Sequence, residues 1–405
     1  MPGRTHFVFL LVAGVAACGV DTPSEEAPRA SMVGDVPVRI ADSAGVRIVT
    51  HGRTPTTPSP LRLPGEPRYR HGASPDDYHF QEVTVGRLLP DGGAVVYDRG
   101  NYEVVTLGPD GARSEVLAGA GEGPGEVDYV TNLFALGRDS ILVVDRNLAR
   151  ITLFAGDSVA RTTNMRFGHF SVAGIISSGE LLLANYRDGS AFEEQWLTAP
   201  FARFDMETGA IDTVASYDLR PRPPPEFDWD PIQAVGEVMV ANGHFVHVRS
   251  DRAEATWRLS EGTVAQIVRW QAEPTLLTEE MLEPIEAELS AGFRRVNPHL
   301  PDAEIPRVIR TNMDPYERSV GRPLPLFSSP LADAEGRVWL PSYRVSRGPT
   351  DRPPYTVIAP NGEWLGVVEA PPTFRLLDVA GGLVLGVELD EMEVESLVVY
   401  ELVGG

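Results

Sequence analysis

An all-β fold, a six-bladed β-propeller, is what the sequence predicts, and three observations carry that expectation. The first is a phrase that returns 47 residues later: Val96-Tyr97-Asp98-Arg99 then Val104-Val105-Thr106-Leu107 becomes Val144-Asp145-Arg146-Asn147 then Arg150-Ile151-Thr152-Leu153-Phe154. The second is a series of short alternating runs bounded by glycine turns such as Pro90-Asp91-Gly92-Gly93, Asn242-Gly243 and Asn361-Gly362. The third is composition: 405 residues, 42% hydrophobic, with 39 Gly and 35 Pro, suit many short strands joined by tight turns. A period of about 40–50 residues holding several strands makes each unit a four-stranded blade, and blades around an axis leave a channel and two loop-bearing faces.

The N-terminus comes first. Arg4 precedes an uncharged run from Phe7 to Ala17, about 11 residues and too short to cross a bilayer. Residues 1–17 therefore read as a secretory signal peptide. Val15-Ala16-Ala17-Cys18 follows and resembles the lipobox of bacterial lipoproteins. The resemblance implies cleavage before Cys18, its lipidation, and a membrane held through a lipid anchor. Gly19 stands where Asp would resemble an inner-membrane retention signal, so the expected location is the cell envelope at the outer membrane. Residues 18–35, small, polar and proline-containing, read as a flexible tether.

The propeller is expected over residues 36–405, in six units. They run from about Phe80 to Leu117, Asn132 to Met165, Val172 to Tyr217, Gly236 to Trp270, Leu326 to Glu369 and Phe374 to Leu402. The last shows only three strands. The β-branched run Gly45–Thr50 is the candidate for its fourth, which would make the N-terminal strand close the last blade and remove an exposed edge. Between blades four and five, a small helical insertion is expected at about 271–323. It opens at Thr278-Glu279-Glu280 and places Leu282, Ile285, Leu289 and Phe293 at helical spacing. Pro284 is tolerable there only because it falls near the helix start.

The stretch from Gly119 to Phe154 closely resembles an NHL repeat, in Gly121-Glu122-Gly123-Pro124-Gly125-Glu126, Val144-Asp145, Asn147 and Arg150-Ile151. Val127 departs from the usual Phe, and Ser140 from the usual turn Gly. Similar repeats occur in a broad group of bacterial six-bladed propeller lipoproteins. The resemblance therefore implies this same fold and an envelope lipoprotein.

Sorting the loops by face places every long insertion, among them 187–195, 218–232, 271–322 and 344–354, on one side, and only short glycine turns on the other. Long loops on a rigid scaffold are where binding resides. The same side carries Arg99, Arg146, Arg187, Arg249 and Arg344, each at the end of a second strand. Converging guanidinium groups there would suit a small anionic or saccharide ligand; tied to their own blades they would be structural. An unknown protein is the other partner that such a face fits.

Charge and residue usage exclude several functions. The net charge of −22 argues against nucleic-acid binding, which rests on neutralised phosphates. All 35 basic residues are Arg, so neither a P-loop lysine nor Schiff-base chemistry is available. The single Cys excludes thiolate metal clusters and internal disulfides. No GxSxG elbow or HExxH helix occurs. These absences point to a non-catalytic binding or scaffolding propeller without cofactor. The alternative is a hydrolase resembling the metal-dependent gluconolactonases, with Glu82, Asn132 and Asn185 around calcium or another divalent cation, or a lyase-like propeller.

Overall fold

Six sheets form, and the repeat explains them. The computed structural model describes residues 29–33, 36–53, 59–74, 76–112, 114–137, 139–165, 170–185, 196–226, 229–299, 301, 303–346 and 353–404. Strands β1 (Arg29–Val33), β2 (Val36–Ser43), β3 (Val46–His51) and the short β4 (Tyr69–His71) precede the ring. Blade one is β5 (Val83–Leu88), β6 (Ala94–Asp98), β7 (Glu103–Leu107) and β8 (Ser114–Ala118). Blade two is β9 (Val130–Ala135), β10 (Ser140–Asp145), β11 (Arg150–Ala155) and β12 (Ser158–Asn164). Blade three is β13 (Ser171–Ser177), β14 (Glu180–Ala184), β15 (Trp196–Asp205) and β16 (Ile211–Pro221). Blade four is β17 (Gly236–Ala241), β18 (His244–Arg249), β19 (Glu254–Arg258) and β20 (Val264–Trp270). Helices α1 (Leu282–Val296) and α2 (Ile305–Glu317) follow. Blade five is β21 (Leu331–Ala332), β22 (Val338–Pro341), β23 (Tyr355–Ile358) and β24 (Trp364–Val368). Blade six is β25 (Arg375–Ala380), β26 (Leu383–Leu389) and β27 (Glu395–Glu401), completed by β4.

The first strands adjoin from blade to blade, β25 on β5, β5 on β9, and onward through β13 and β17 to β21, so they surround the axis. Second strands are apolar on both faces because both faces meet a neighbouring blade. Ala94–Asp98 is buried at every residue, whereas outer β12 is exposed along nearly its whole length. Each gap between blades is filled by its own apolar cluster. Leu182, Phe201 and Phe245 fill the gap between blades three and four; Val246, Trp257, Val268 and Trp364 fill that between four and five. Burying one such side chain is worth about 1.5–3 kcal/mol, which is why the ring holds by inter-blade packing. Two glycines are required by geometry. Gly243, at φ 73° beside Asn242 at 46°, makes the tight β17–β18 turn. At Gly86 a Cβ would lie 2.9 Å from the Leu377 methyl of blade six, so the first and last blades could not approach.

Two expectations are corrected. Val46–Thr50 does not close the last blade: β3 pairs in parallel with β20, and the seven-stranded sheet runs β1-β2-β3-β20-β19-β18-β17. Closure comes from β4, which pairs antiparallel with β27 through Tyr69↔Val399 and His71↔Leu397. The physical reason is the apolar face of the N-terminal hairpin: Val38 and Val49 are buried with Val268 on blade four. The helical insertion lies in its expected place and holds two α-helices. Pro306 starts α2 and Pro315 falls in its last turn, so neither breaks it. Strand β1 also lies inside the stretch expected as a tether. The signal segment and Cys18 lie outside the described residues.

Candidate functional site

The repeated Asp is a pin. Asp98, fully buried, accepts the N–H groups of Glu82 (2.9 Å) and Gly100 (3.1 Å) on one oxygen, and those of Gln81 (3.0 Å) and the Asn101 amide (2.9 Å) on the other. Asp145 likewise accepts from Asp128 (2.7 Å), Tyr129 (3.1 Å) and Leu148 (2.9 Å). Each carboxylate ties the loop entering a blade to the corner after its second strand. Arg150 completes the tie in blade two, donating to the carbonyls of Glu122 (3.0 Å), Gly123 (2.7 Å) and Glu126 (2.5 Å). The repeated phrase is thus a set of corner contacts.

The corner arginines occupy unequal positions. Arg99 forms an ion pair with Glu82 of its own blade, its Nε 2.8 Å from the carboxylate. Arg146 is exposed. Arg249 stands one residue earlier, at the end of β18 where Asp98 ends β6, and Ser250 makes the loop tie through Val235. Its guanidinium lies 3.6 Å over the Trp196 ring and is held by Asp218 (2.5 Å) and Asp251 (2.6 Å). Arg344 stands one residue later than Arg99 in register, because Tyr343 donates to Leu326 as Arg99 donates to Glu82. Arg187 lies outside the described residues.

Of the described corner arginines, only Arg344 lines the axial cavity. That space, about 440 Å³, lies among the first strands of blades one, two, five and six. Its polar lining is Arg87, Arg344 and Arg375 with hydroxyls that include Thr84, Thr131 and Ser329; no carboxylate is among its described lining residues. Arg375 donates to Val83 at 2.5 Å and stands 3.6 Å from Glu395. Arg87 donates to Gly86 at 2.9 Å, with Asp378 behind it accepting the Leu88 N–H at 2.8 Å. Burial pushes both Asp378 and Glu395 above the ordinary carboxylate range, with Arg87 and Arg375 respectively acting against it. The Thr84 hydroxyl is buried without a hydrogen-bond partner among the described residues. Three guanidinium groups and an unpaired hydroxyl can receive the oxygens of an anion.

The helical insertion spans the same face. Ile285, Ile305, Ile309 and Met313 pack with Ile232 and Leu324, against Tyr343 and Val345 of blade five. Ser346 donates to Glu288 at 3.1 Å, and Arg295 at the far end of α1 reaches Glu393 of blade six at 3.4 Å. Of the long insertions, the segment after β22 contributes Arg344 and Pro353 to the cavity lining.

Arg87 and Arg375 were not among the sequence candidates. The available signal was their place on first strands, where alternate residues point to the axis. Of the candidate metal ligands, Glu82 is committed to Arg99, Asn132 lies in β9 opposite Val144, and Asn185 is buried just after β14. Among the described residues, His, Cys, Asp and Glu form no group of three able to hold a metal ion.

A six-bladed propeller with a cationic axial cavity is the class that fold and site define. No family model and no curated protein matches the chain. Solved structures do resemble it. A Bacteroides fragilis protein named as exported is 11% identical with a TM-score of 0.49, over 87% of this chain and 98% of that one. A DUF4221 family member from Bacteroides vulgatus is 12% identical with a TM-score of 0.48, over 84% and 98%. A streptogramin B lyase is 11% identical with a TM-score of 0.37, over 82% and 86%.

Proposed function

We propose that this protein is a binding propeller of the cell envelope, lipid-anchored through Cys18, that takes a small anionic ligand in its axial cavity on the long-loop side. The observation that carries the reading is the lining: Arg87, Arg344 and Arg375 with hydroxyls and no described carboxylate, in a chain of net charge −22. A concave site with a few convergent polar groups is the usual form of a small-molecule site. The envelope assignment rests on the Val15-Ala16-Ala17-Cys18 motif.

Calorimetric titration with citrate, glucuronate, sulfate and phosphate tests the ligand class. Binding of at least one, weakened about tenfold or more by Arg87→Gln, is the expected result, since a charge-assisted hydrogen bond is lost. A wild-type protein that binds none of them refutes the reading. Anchoring has its own test: Cys18→Ser should move the protein from the membrane fraction to the soluble one, and unchanged fractionation would remove the anchor.

A further inference from the structure

A second cavity, about 270 Å³, lies between blades three and four, and it shares no lining residue with the axial one. Tyr217 and Asp218 of β16 face His247 and Arg249 of β18 across it, with Arg258 of β19 and Arg252 beside them. Its charges divide unevenly. Arg249 is satisfied by Asp218 and Asp251, and Glu254 on the same flank by Arg269 at 2.7 Å. Arg258 donates to the Gly262 carbonyl at 3.0 Å and lies 5.7 Å over the Tyr217 ring. Among the described residues, neither Arg252 nor Arg258 has a carboxylate within ion-pair distance.

The polar atoms at this spot are also incomplete. Tyr217 is 2% exposed, its ring set edge-on to Phe201 at 5.0 Å, yet its hydroxyl has no hydrogen-bond partner among the described residues. The Nε of Arg258 is buried and unpaired in the same way. Buried donors are nearly always satisfied in native proteins, so two orphans on one cavity ask for an acceptor. His247 supplies the third group. Its Nε2 lies 2.9 Å from the Asp218 carbonyl, which can only accept, so Nε2 carries the proton and Nδ1 is bare in the neutral ring.

We infer that this cavity binds a small oxyanion, a carboxylate or phosphate group. The Nε of Arg258 and the Tyr217 hydroxyl donate to it, and Arg252 adds charge. His247 tunes it. The groups that face this ring are Asp218 and Tyr217 from β16, Arg249 from its own strand and Arg258 from β19. Burial holds the imidazole below its ordinary value, with the two arginines acting in the same direction, so the empty site keeps His247 neutral at pH 7. A bound anion favours the imidazolium, whose Nδ1–H becomes a further donor. Affinity therefore rises as pH falls below neutrality.

The test uses the whole chain with inorganic phosphate and acetate as probes, by calorimetry at two pH values and by crystals grown with each. Electron density for the probe between Tyr217 and Arg258 is expected, with tighter binding at the lower pH. Tyr217→Phe, which removes one oxygen and leaves the ring, and Arg258→Gln should each weaken binding at this place about tenfold. Phosphate preferred over acetate identifies a phosphate site, and the reverse a carboxylate site. The axial cavity shares none of these residues, so probe density at Arg87 and Arg375 with none between Tyr217 and Arg258, or the reverse, tells failure of this reading from failure of the axial one. Water alone between Tyr217 and Arg258, or unaltered affinity in both variants, overturns the proposal.

Discussion

At the residue scale, Asp98 and Asp145 fix the corners of blades one and two. Both oxygens of buried Asp98 accept hydrogen bonds from backbone N–H groups or the Asn101 amide, so removal breaks several bonds at once. Asp98→Ala should cost about 3 kcal/mol in chemical denaturation. Asp98→Asn should rescue little, because an amide nitrogen would then face an N–H where an oxygen accepted. Recovery to wild-type stability in the Asn variant would show that charge and geometry matter less than shape. Glu237 on β17 behaves in the opposite sense. Its carboxyl has no hydrogen bond or ion pair among the described residues, and burial alone pushes it above the ordinary range. The folded state therefore disfavours the ionised form, and native Glu237 holds its proton to higher pH than the unfolded chain does. Stability consequently rises as pH falls through the raised value. Glu237→Gln should raise the melting temperature at pH 8 and lose that advantage towards pH 4, which thermal unfolding at both values measures.

At the element scale the ring depends on β4. Tyr69-Arg70-His71 is short, yet Tyr69 packs in the cluster between blades one and six, and His71 donates from Nδ1 to Gly111 of blade one at 2.7 Å. Removing residues 1–53 should cost the burial of Val38 and Val49 but leave the ring closed. Removing residues 1–75 should open the last blade and abolish cooperative unfolding. Equal stability of the two truncations, measured by denaturant titration, would refute closure by β4. The contrast also explains what the sequence made legible. Blades were readable because two-residue alternation and glycine turns are local, and α1 because its apolar spacing is. The closing strand was not: Tyr69-Arg70-His71 shows no β-branched run, while Val46-Arg47-Ile48-Val49 shows a strong one that serves blade four instead. Strand formation could be read; partner choice is set by which distant face needs covering. The axial arginines were hidden for a similar reason, since Arg87 reads as an ordinary polar position until the first strands are gathered around the axis.

At the scale of the whole molecule, two fields of opposite sign act on an anion. The chain carries −22 overall, while the axial lining is cationic. Raising ionic strength from about 0.01 to about 0.15 M shortens the screening length from about 30 to about 8 Å and so removes the long-range repulsion first. The association rate of an anionic ligand should therefore rise with salt over that range, and stopped-flow mixing would read it. A rate that falls with salt would mean that the cavity's field reaches beyond the acidic surface. The N-terminal hairpin has a consequence of a different kind, for orientation. Because β3 runs parallel to β20, its His51 end lies towards the long-loop side; β2 reverses that direction and β1 restores it. Traced backwards from Val33 to Arg29, the backbone thus leaves the rim of blade four heading for the short-turn side. A leash fixed upstream of Arg29 would hold the disc from behind, like a dish on its mount, and turn the cavity mouth away from whatever surface the leash is fixed to.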